Sequence, residues 1–370
     1  METTSKPVWL STVFYIFITL ILILFGVILW GGFVDRIHAE ERSTVDLAAG
    51  IPNIFRAATE SNGAVRDTLI RAKHDVQYQV LGEKRFPIVL GGRDDWLYYS
   101  GERNIDDYQN AFPMTEDELM QIYVNLEAIN RRLAIHDKLL IVVVAPSRET
   151  IYPDWLPQGT DKVGDDDRMD KLMAYMDKMG AKTKILDLRD ELTAARVDSP
   201  LLYFKTDTHW NQHGSFLAYQ EICKAIQESD GFEDFVCHDA DDYTVELIPY
   251  SGDMVKLMPT NLKIFEPIPN YVPNFQSYVT QSPPLPYGRD RIEWVYTSIP
   301  EEKAPNPYTL VSFRDSFSMD LVPFLREDFQ KATFEWNFHY NQDLINQEDP
   351  DIVIIQVVER YLHALEWFTY

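Results

Sequence analysis

The sequence predicts an α/β fold in which a parallel sheet is covered by helices on both faces. One observation is the β-branched run at residues 139–145, Leu-Leu-Ile-Val-Val-Val-Ala, which is typical of a strand buried on both faces. A second is that helical and extended patterns alternate around this run, as they do in parallel sheets. A third is that the same alternation returns near the carboxyl end, where residues 351–358 form another apolar run.

The elements follow in order along the chain. Two apolar runs around a Gly-Gly-Arg-Asp-Asp turn predict a hairpin over residues 88–99. Thr115 and Glu118 form a capping-box pair before an apolar helical pattern that ends near His136. A second helix carries a methionine stripe, which we interpret as core packing, and it stops at Gly180. The remaining predictions are a strand at 183–188, a helix from about Gly214, strands at 308–313, 332–336 and 351–358, and a helix at 319–330.

Residues 243–296 separate the two halves of this pattern. They are rich in proline and aromatic residues and have no helical period. We expect an excursion of irregular or short β structure, which could shape a substrate groove.

Charge excludes one class of partner. The 34 Lys and Arg against 58 Asp and Glu give a formal net charge of −24, and the acidic residues are spread along the whole chain. Such a surface repels a phosphate backbone, so nucleic acid is not an expected partner. At 370 residues the chain is long enough for a substantial core.

The amino-terminal part predicts a membrane anchor. Residues 8–34 carry no charged side chain, and about 20 apolar residues are enough to span a bilayer. We therefore predict a tail at 1–7, a transmembrane helix at 8–34, a stalk or cap at 35–86 and a folded domain at 87–370. The flanking charges do not set the orientation, because basic residues stand on both sides of the span.

Two cysteines leave two interpretations open. Cys223 and Cys237 form a disulfide in an oxidising compartment, or they are unrelated buried thiols.

Three residues have the types needed for nucleophilic catalysis. Ser316 follows a predicted strand, and Asp207 and His209 stand in a loop before a helix. A serine needs an imidazole to take its proton and a third group to orient that imidazole. The interpretations without catalysis are that Asp207-x-His209 is a chance pair and that Ser316 caps the following helix, a role that Asp315 fills equally well.

Other candidates stand near the same predicted edge. Arg148 and Arg360 follow strand ends, where ligands gather in open α/β sheets, and each is either a substrate contact or a salt-bridge partner. The backbone N–H groups of Ser316 and Phe317 are candidates for an oxyanion hole. His209 and His213 have zinc-ligand spacing, but Trp210 occupies the position of the catalytic glutamate. We therefore expect neither a metal nor any other cofactor.

Six stretches in order resemble the alginate O-acetyltransferase family of SGNH-hydrolase-like proteins, the AlgJ and AlgX type. Their residues lie at 91–98, 145–153, 207–210 (Asp-Thr-His-Trp), 251–254 (Ser-Gly-Asp-Met), 313–317 (Phe-Arg-Asp-Ser-Phe) and 358–362. The resemblance implies a three-layer α/β/α, flavodoxin-like domain. It also implies a catalytic triad of Asp207, His209 and Ser316, in an order permuted relative to ordinary SGNH hydrolases. Because the chain stops soon after its last strand, we expect the AlgJ layout.

The resemblance further implies a membrane-anchored, extracytoplasmic O-acetyltransferase. Such an enzyme receives acetyl from a multi-pass membrane O-acyltransferase and passes it to hydroxyls of a cell-surface or secreted polysaccharide. Two alternatives remain open at this stage. One is a polysaccharide acetyl esterase with the same triad, and the other is a non-catalytic polysaccharide-binding or scaffold subunit.

Overall fold

The computed structural model describes residues 63–79, 85–164, 167–198, 201–261, 263–283 and 293–369. The chain divides into two units, and the second, Ile70–Tyr370, carries the fold that follows. The anchor predicted at residues 8–34 and most of the predicted stalk lie outside the described residues. Within the described ranges, no helix is both long and apolar enough to cross a membrane.

The helices and strands alternate much as the sequence predicts. The helices are α1 Gly63–Gln79, α2 Asn104–Tyr108, α3 Glu116–Ala134, α4 Arg148–Ile151, α5 Arg168–Lys178, α6 Arg189–Asp198, α7 Gln212–Gln227, α8 Asp253–Leu257, α9 Ser318–Asp328 and α10 Gln342–Glu348. The strands are β1 Val89–Gly91, β2 Leu97–Tyr99, β3 Leu139–Ala145, β4 Lys184–Asp187, β5 Tyr243–Tyr250, β6 Glu266–Pro273, β7 Thr280–Ser282, β8 Trp294–Ser298, β9 Asn306–Arg314, β10 Phe329–Trp336 and β11 Ile352–Val358.

Among the described residues, seven strands form one sheet in the order β4-β3-β11-β9-β10-β8-β7. The five strands from β4 to β10 are parallel to their neighbours. The expectation of a wholly parallel sheet is wrong at one edge, because β8 runs antiparallel to β10 and β7 runs antiparallel to β8. These antiparallel strands come from the excursion, where no helical crossover is needed to join neighbours.

Alternate residues of the central strands enter two separate cores. Ile141, Val143 and Ala145 of β3 pack on the face covered by α6, α7 and α9. Leu140, Val142 and Val144 pack on the face covered by α3, α5 and α10. This is the three-layer α/β/α arrangement, and it explains why β3 is apolar at every position.

Local sequence signals set the helix ends. The capping box predicted at Thr115 forms, since its side chain accepts the Glu118 N–H and Glu118 accepts the Thr115 N–H. The methionine stripe of α5 is buried in the core, as predicted. The predicted hairpin also forms, with Val89 of β1 opposite Tyr99 of β2.

The two cysteines form a disulfide. Cys223 lies in α7 and Cys237 precedes β5, and their Cα atoms are 6.3 Å apart. The bond ties α7 to the start of the excursion and decides between the two interpretations that the sequence left open.

Ile354 in β11 tests the central packing. It is fully buried between β3 and β9, so Ile354→Ala should lower the free energy of unfolding by about 2–5 kcal/mol through lost burial and a residual cavity. Ile135→Ala is the matched control, because Ile135 is 72% exposed, and its effect should stay within about 0.5 kcal/mol. Urea unfolding midpoints measure both, and equal losses would contradict this packing.

Candidate active site

The carboxyl ends of three parallel strands meet at one edge of the sheet. Ser316 stands in the turn between β9 and α9. The preceding residue fixes this turn, because the Asp315 carboxylate accepts the N–H of Phe317 at 2.8 Å and the N–H of Val358 at 2.6 Å. Asp315 therefore ties the end of β9 to the end of β11 and holds the serine at the edge.

Asp207, His209 and Ser316 are hydrogen-bonded in series. His209 Nε2 lies 2.7 Å from Ser316 Oγ, and His209 Nδ1 lies 2.6 Å from Asp207 Oδ1. Asp207 and His209 are buried, whereas Ser316 is half-buried. The three residues thus have the order and spacing of a nucleophile, a base and an orienting carboxylate.

The second oxygen of Asp207 is also held. It accepts the hydroxyl of Tyr250 at 2.7 Å and the backbone N–H of Asp253 at 2.9 Å. Both carboxylate oxygens of Asp207 therefore have hydrogen-bond partners that fix the orientation of this side chain. Sequence reasoning missed Tyr250, which stands one residue before the Ser-Gly-Asp-Met stretch and was visible only as part of an aromatic-rich excursion.

Thr208 and Asp253 form a second arm on the imidazole. The Thr208 hydroxyl lies 3.0 Å from His209 Nδ1 and donates to Asp253 Oδ2 at 2.8 Å. The Thr208 N–H donates to Asp253 Oδ1 at 3.1 Å. Sequence analysis assigned neither residue a role, although both lie inside the quoted stretches.

Gly252 permits this approach of the two loops. A Cβ at Gly252 would lie 2.0 Å from the carbonyl oxygen of Thr206 and 2.7 Å from the Asp207 nitrogen. Any larger residue would push the loop that carries Asp253 away from the loop that carries the imidazole.

Arg148 lies behind the loop that carries Asp207 and His209 rather than in an open crevice. Only 1% of it is exposed, and its guanidinium donates to the carbonyl oxygens of Phe204 at 2.9 Å and Asp207 at 2.6 Å. A further bond joins it to the carbonyl of Leu97 in β2, and Tyr98 packs against its charge at 4.5 Å. These contacts use the Arg148 guanidinium within the fold, and the substrate contact that the sequence suggested has no support in this geometry.

Phe317 has a different place from the one predicted. Its N–H is used by Asp315, so the structure does not present that group to an oxyanion. Its ring instead packs against the imidazole of His209, with ring centroids 4.9 Å apart. The guanidinium carbon of Arg360 lies 5.5 Å from the Phe317 ring centroid.

The two histidines with zinc-ligand spacing do not act together. His209 uses its ring nitrogens on Asp207 and Ser316, whereas His213 Nδ1 contacts the Tyr271 hydroxyl at 2.9 Å. Burial lowers the pKa of His213 and so favours its neutral form. We assign no metal to this pair.

A serine, an imidazole and a carboxylate lie in series at the carboxyl edge of an α/β/α domain, an arrangement that fits an SGNH-hydrolase-like protein. The family model described as "SGNH hydrolase-like domain, acetyltransferase AlgX" matches residues 89–284, which is just over half of the chain. The chain belongs to this family, and the resemblance stated from its motifs is confirmed.

Curated relatives agree with this assignment. The probable alginate O-acetylase AlgJ of Pseudomonas syringae pv. tomato is 26% identical over 188 residues, which cover 50% of this chain and 44% of that protein. The AlgJ of Pseudomonas aeruginosa is 21% identical over 336 residues, covering 81% and 82% respectively. In the first of these matches the chain spans less than half of its relative.

A solved structure shares the fold. PatB1 of Bacillus cereus, solved with a sulfonyl adduct, has a TM-score of 0.55 and 16% sequence identity to this chain. The similarity covers 76% of this chain and 100% of PatB1. At this identity it supports the fold alone.

Glu359 is a buried carboxyl at the same edge, outside the triad. It accepts the Ser147 N–H at 2.8 Å and the Thr150 hydroxyl at 2.7 Å. Burial, and secondarily the negative charge of Asp167, raises the pKa of Glu359 to about 8. The folded protein therefore keeps this side chain protonated at pH values where the unfolded chain would release the proton.

Glu359→Gln tests that assignment through stability. The pKa of a glutamate in the unfolded chain is about 4.3. The stabilisation due to protonated Glu359 is therefore complete below that pH, and it is lost as the pH rises through the folded pKa of about 8. The variant should lose this part of the pH dependence and show a flatter stability profile in urea unfolding. Glu302→Gln, at an exposed position, should leave the wild-type slope unchanged. An unchanged slope in Glu359→Gln would contradict the raised pKa.

Proposed function

We propose that this chain is a membrane-anchored, extracytoplasmic O-acetyltransferase that acts on a cell-surface or secreted polysaccharide. The observation that carries the proposal is the hydrogen-bonded series from Asp207 through His209 to Ser316. Membership of the AlgX family and the similarity to proteins named probable alginate O-acetylases support an acetyl group as the cargo.

The first half of the proposed reaction loads the enzyme. His209 Nε2 takes the Ser316 proton as Oγ attacks the acetyl carbonyl of a donor. The ionised Asp207 stabilises the imidazolium that forms, and Arg148 holds the backbone that carries both residues. The tetrahedral intermediate then expels the donor's leaving group, which takes the proton from His209 and leaves an acetyl ester on Ser316.

The second half of the proposed reaction transfers the acetyl group from Ser316 to the acceptor. A sugar hydroxyl attacks the acetyl-Ser316 carbonyl while His209 accepts the hydroxyl proton, and collapse of the intermediate returns that proton to Ser316 Oγ. The backbone N–H of Ser316 is our candidate donor to the oxyanion in both halves. Water in place of the sugar would give an esterase, so the acceptor decides between transfer and hydrolysis.

The partners in this proposal are a polysaccharide acceptor and a multi-pass membrane O-acyltransferase that supplies acetyl. We place the catalytic domain outside the cytoplasm, anchored by residues 8–34. The disulfide between Cys223 and Cys237 supports this location, because such bonds persist in oxidising compartments.

An acetyl adduct tests the nucleophile. Incubation with a chromogenic acetyl ester should release the chromophore and add about 42 Da to the peptide that contains Ser316, as a covalent acyl-enzyme requires. Ser316→Ala should show neither turnover nor adduct, and His209→Ala should lose most turnover. Peptide mass spectrometry locates the adduct, and oligosaccharide acceptors then separate transfer from hydrolysis.

An adduct on another residue, or full activity in Ser316→Ala, would contradict the proposed mechanism. A folded wild-type protein without turnover or adduct, but with polysaccharide binding, would instead identify a non-catalytic binding subunit. Co-expression with the multi-pass membrane O-acyltransferase tests whether activity requires that partner.

Thr208→Val tests the second arm on the imidazole. The change keeps the side-chain shape but removes the hydroxyl between His209 and Asp253, a bond to a charged group worth about 1.5–3 kcal/mol. We expect kcat for the acetyl ester to fall about tenfold or more, with Thr208→Ser close to wild type. Equal rates for the valine and serine variants would show that the arm does not orient the base.

A further inference from the structure

A cavity of about 670 Å³ lies beside the proposed active site. Its walls come from residues 102–118, which include α2 and the start of α3, from Arg168, and from residues 360–366 after β11. The volume falls within the range of small-molecule sites, roughly 300–1,000 Å³. The proposed mechanism uses none of these walls.

Arg360 connects the cavity to the triad. It lines the cavity, and its guanidinium carbon lies 5.5 Å from the Phe317 ring, which itself packs on His209. The cavity is thus separated from the catalytic imidazole by two side chains in contact, at the strand edge where Ser316 stands.

The cavity offers an exposed aromatic surface in its wall. Phe112 is 51% exposed at the cavity wall, and Arg103 stacks 3.1 Å from its ring centroid. An exposed ring in a wall that also carries carboxyl groups suits a ligand that has both hydroxyl groups and an apolar face.

The cationic groups of the cavity are mostly occupied within the protein. Arg168 pairs with the carboxylate of Asp107, and Arg103 lies 3.8 Å from Asp106. Burial, followed by the charge of Arg168, lowers the pKa of His363 and favours its uncharged form. Arg360 is 8% exposed, and its guanidinium carbon lies 4.9 Å from the Tyr361 ring centroid, so the cavity presents little free positive charge to an anionic ligand.

The acidic groups oppose an anionic ligand. Glu102, Asp107, Glu118 and Glu366 all line the cavity. Burial, together with the nearby charge of Glu118, raises the pKa of Glu366, which reflects two carboxyl groups facing the same space. A uronate carboxylate placed here would meet like charge, whereas neutral hydroxyls could donate to these oxygens.

We infer that this cavity binds one unit of the acceptor polysaccharide outside the unit that reacts at Ser316, and that it selects an uncharged sugar unit over a uronate. Phe112 would stack on a sugar face, and Glu366 would accept from a hydroxyl. This inference rests on the proposed function for its meaning, but binding in the cavity is measurable without catalysis.

Binding is measured with the full-length Ser316→Ala chain in detergent micelles, so that turnover cannot interfere. Calorimetric titration compares three hexasaccharides of equal length, built from glucose, N-acetylglucosamine or mannuronate. At least one neutral oligomer should bind about tenfold more tightly than mannuronate, since like charges facing each other cost affinity. Separate acetyl-ester and adduct measurements on the wild type decide the proposed function independently.

Three variants locate the binding. Ala111→Trp should fill the cavity and weaken neutral binding about tenfold or more, and Phe112→Ala should also weaken it. Glu366→Gln removes one negative charge, so it should reduce the difference in affinity between the neutral hexasaccharides and the mannuronate hexasaccharide. Phe265→Ala is the control, because that ring is 61% exposed and does not line the cavity, and it should leave binding unchanged. Thermal unfolding confirms that each variant is folded.

The inference is overturned if mannuronate binds as tightly as both neutral oligomers, or if none of the three binds. It is also overturned if neutral binding survives in both folded variants, Ala111→Trp and Phe112→Ala. In either case an acetyl adduct on Ser316 would still uphold the proposed chemistry, so the two failures are distinguishable.

Discussion

The site depends on one buried guanidinium. Arg148 follows β3 and holds the carbonyl oxygens of Phe204 and Asp207, together with that of Leu97 from the β1-β2 hairpin. Carbonyls turned inward by an irregular loop need donors, because an unpaired buried carbonyl costs as much as a lost hydrogen bond. Arg148 supplies several donors from one planar group, which fixes the loop that carries Asp207 and His209. A lysine would offer a point charge rather than this fixed fork.

A second clamp acts on the same loop from the excursion. Gly252 allows the backbone to approach Thr206, and Asp253 then reaches both Asp207 and Thr208. The excursion thus holds the loop that carries His209, the proposed base. The serine is held separately, by Asp315 across the ends of β9 and β11. Two independently fixed halves meet at the contact of 2.7 Å between His209 and Ser316, which is the preorganisation that the proposed general base requires.

Sequence patterns predicted the elements whose signals are local. The run at β3, the capping box of α3 and the buried methionines of α5 all appear where the periodicity placed them. The antiparallel edge formed by β7 and β8 was not predicted, because those strands are short and lie in a segment without a clear period. The role of Phe317 was misjudged for a different reason. A free N–H cannot be distinguished from one that is paired with a neighbouring carboxylate until the turn is folded.

The sequence by itself determined the residue types of the site, the family, and a core that alternates along each central strand. Only the tertiary structure decided which polar residues serve the same imidazole. Asp207 and His209 are neighbours in sequence, but Ser316 is 107 positions beyond His209, and Tyr250 is 43 beyond Asp207. The tertiary structure also made Arg148 a structural brace while leaving Arg360 beside a cavity. The physical reason is that periodicity and capping are properties of a few adjacent residues. Hydrogen bonds across loops depend instead on how the sheet brings distant strand ends to one edge.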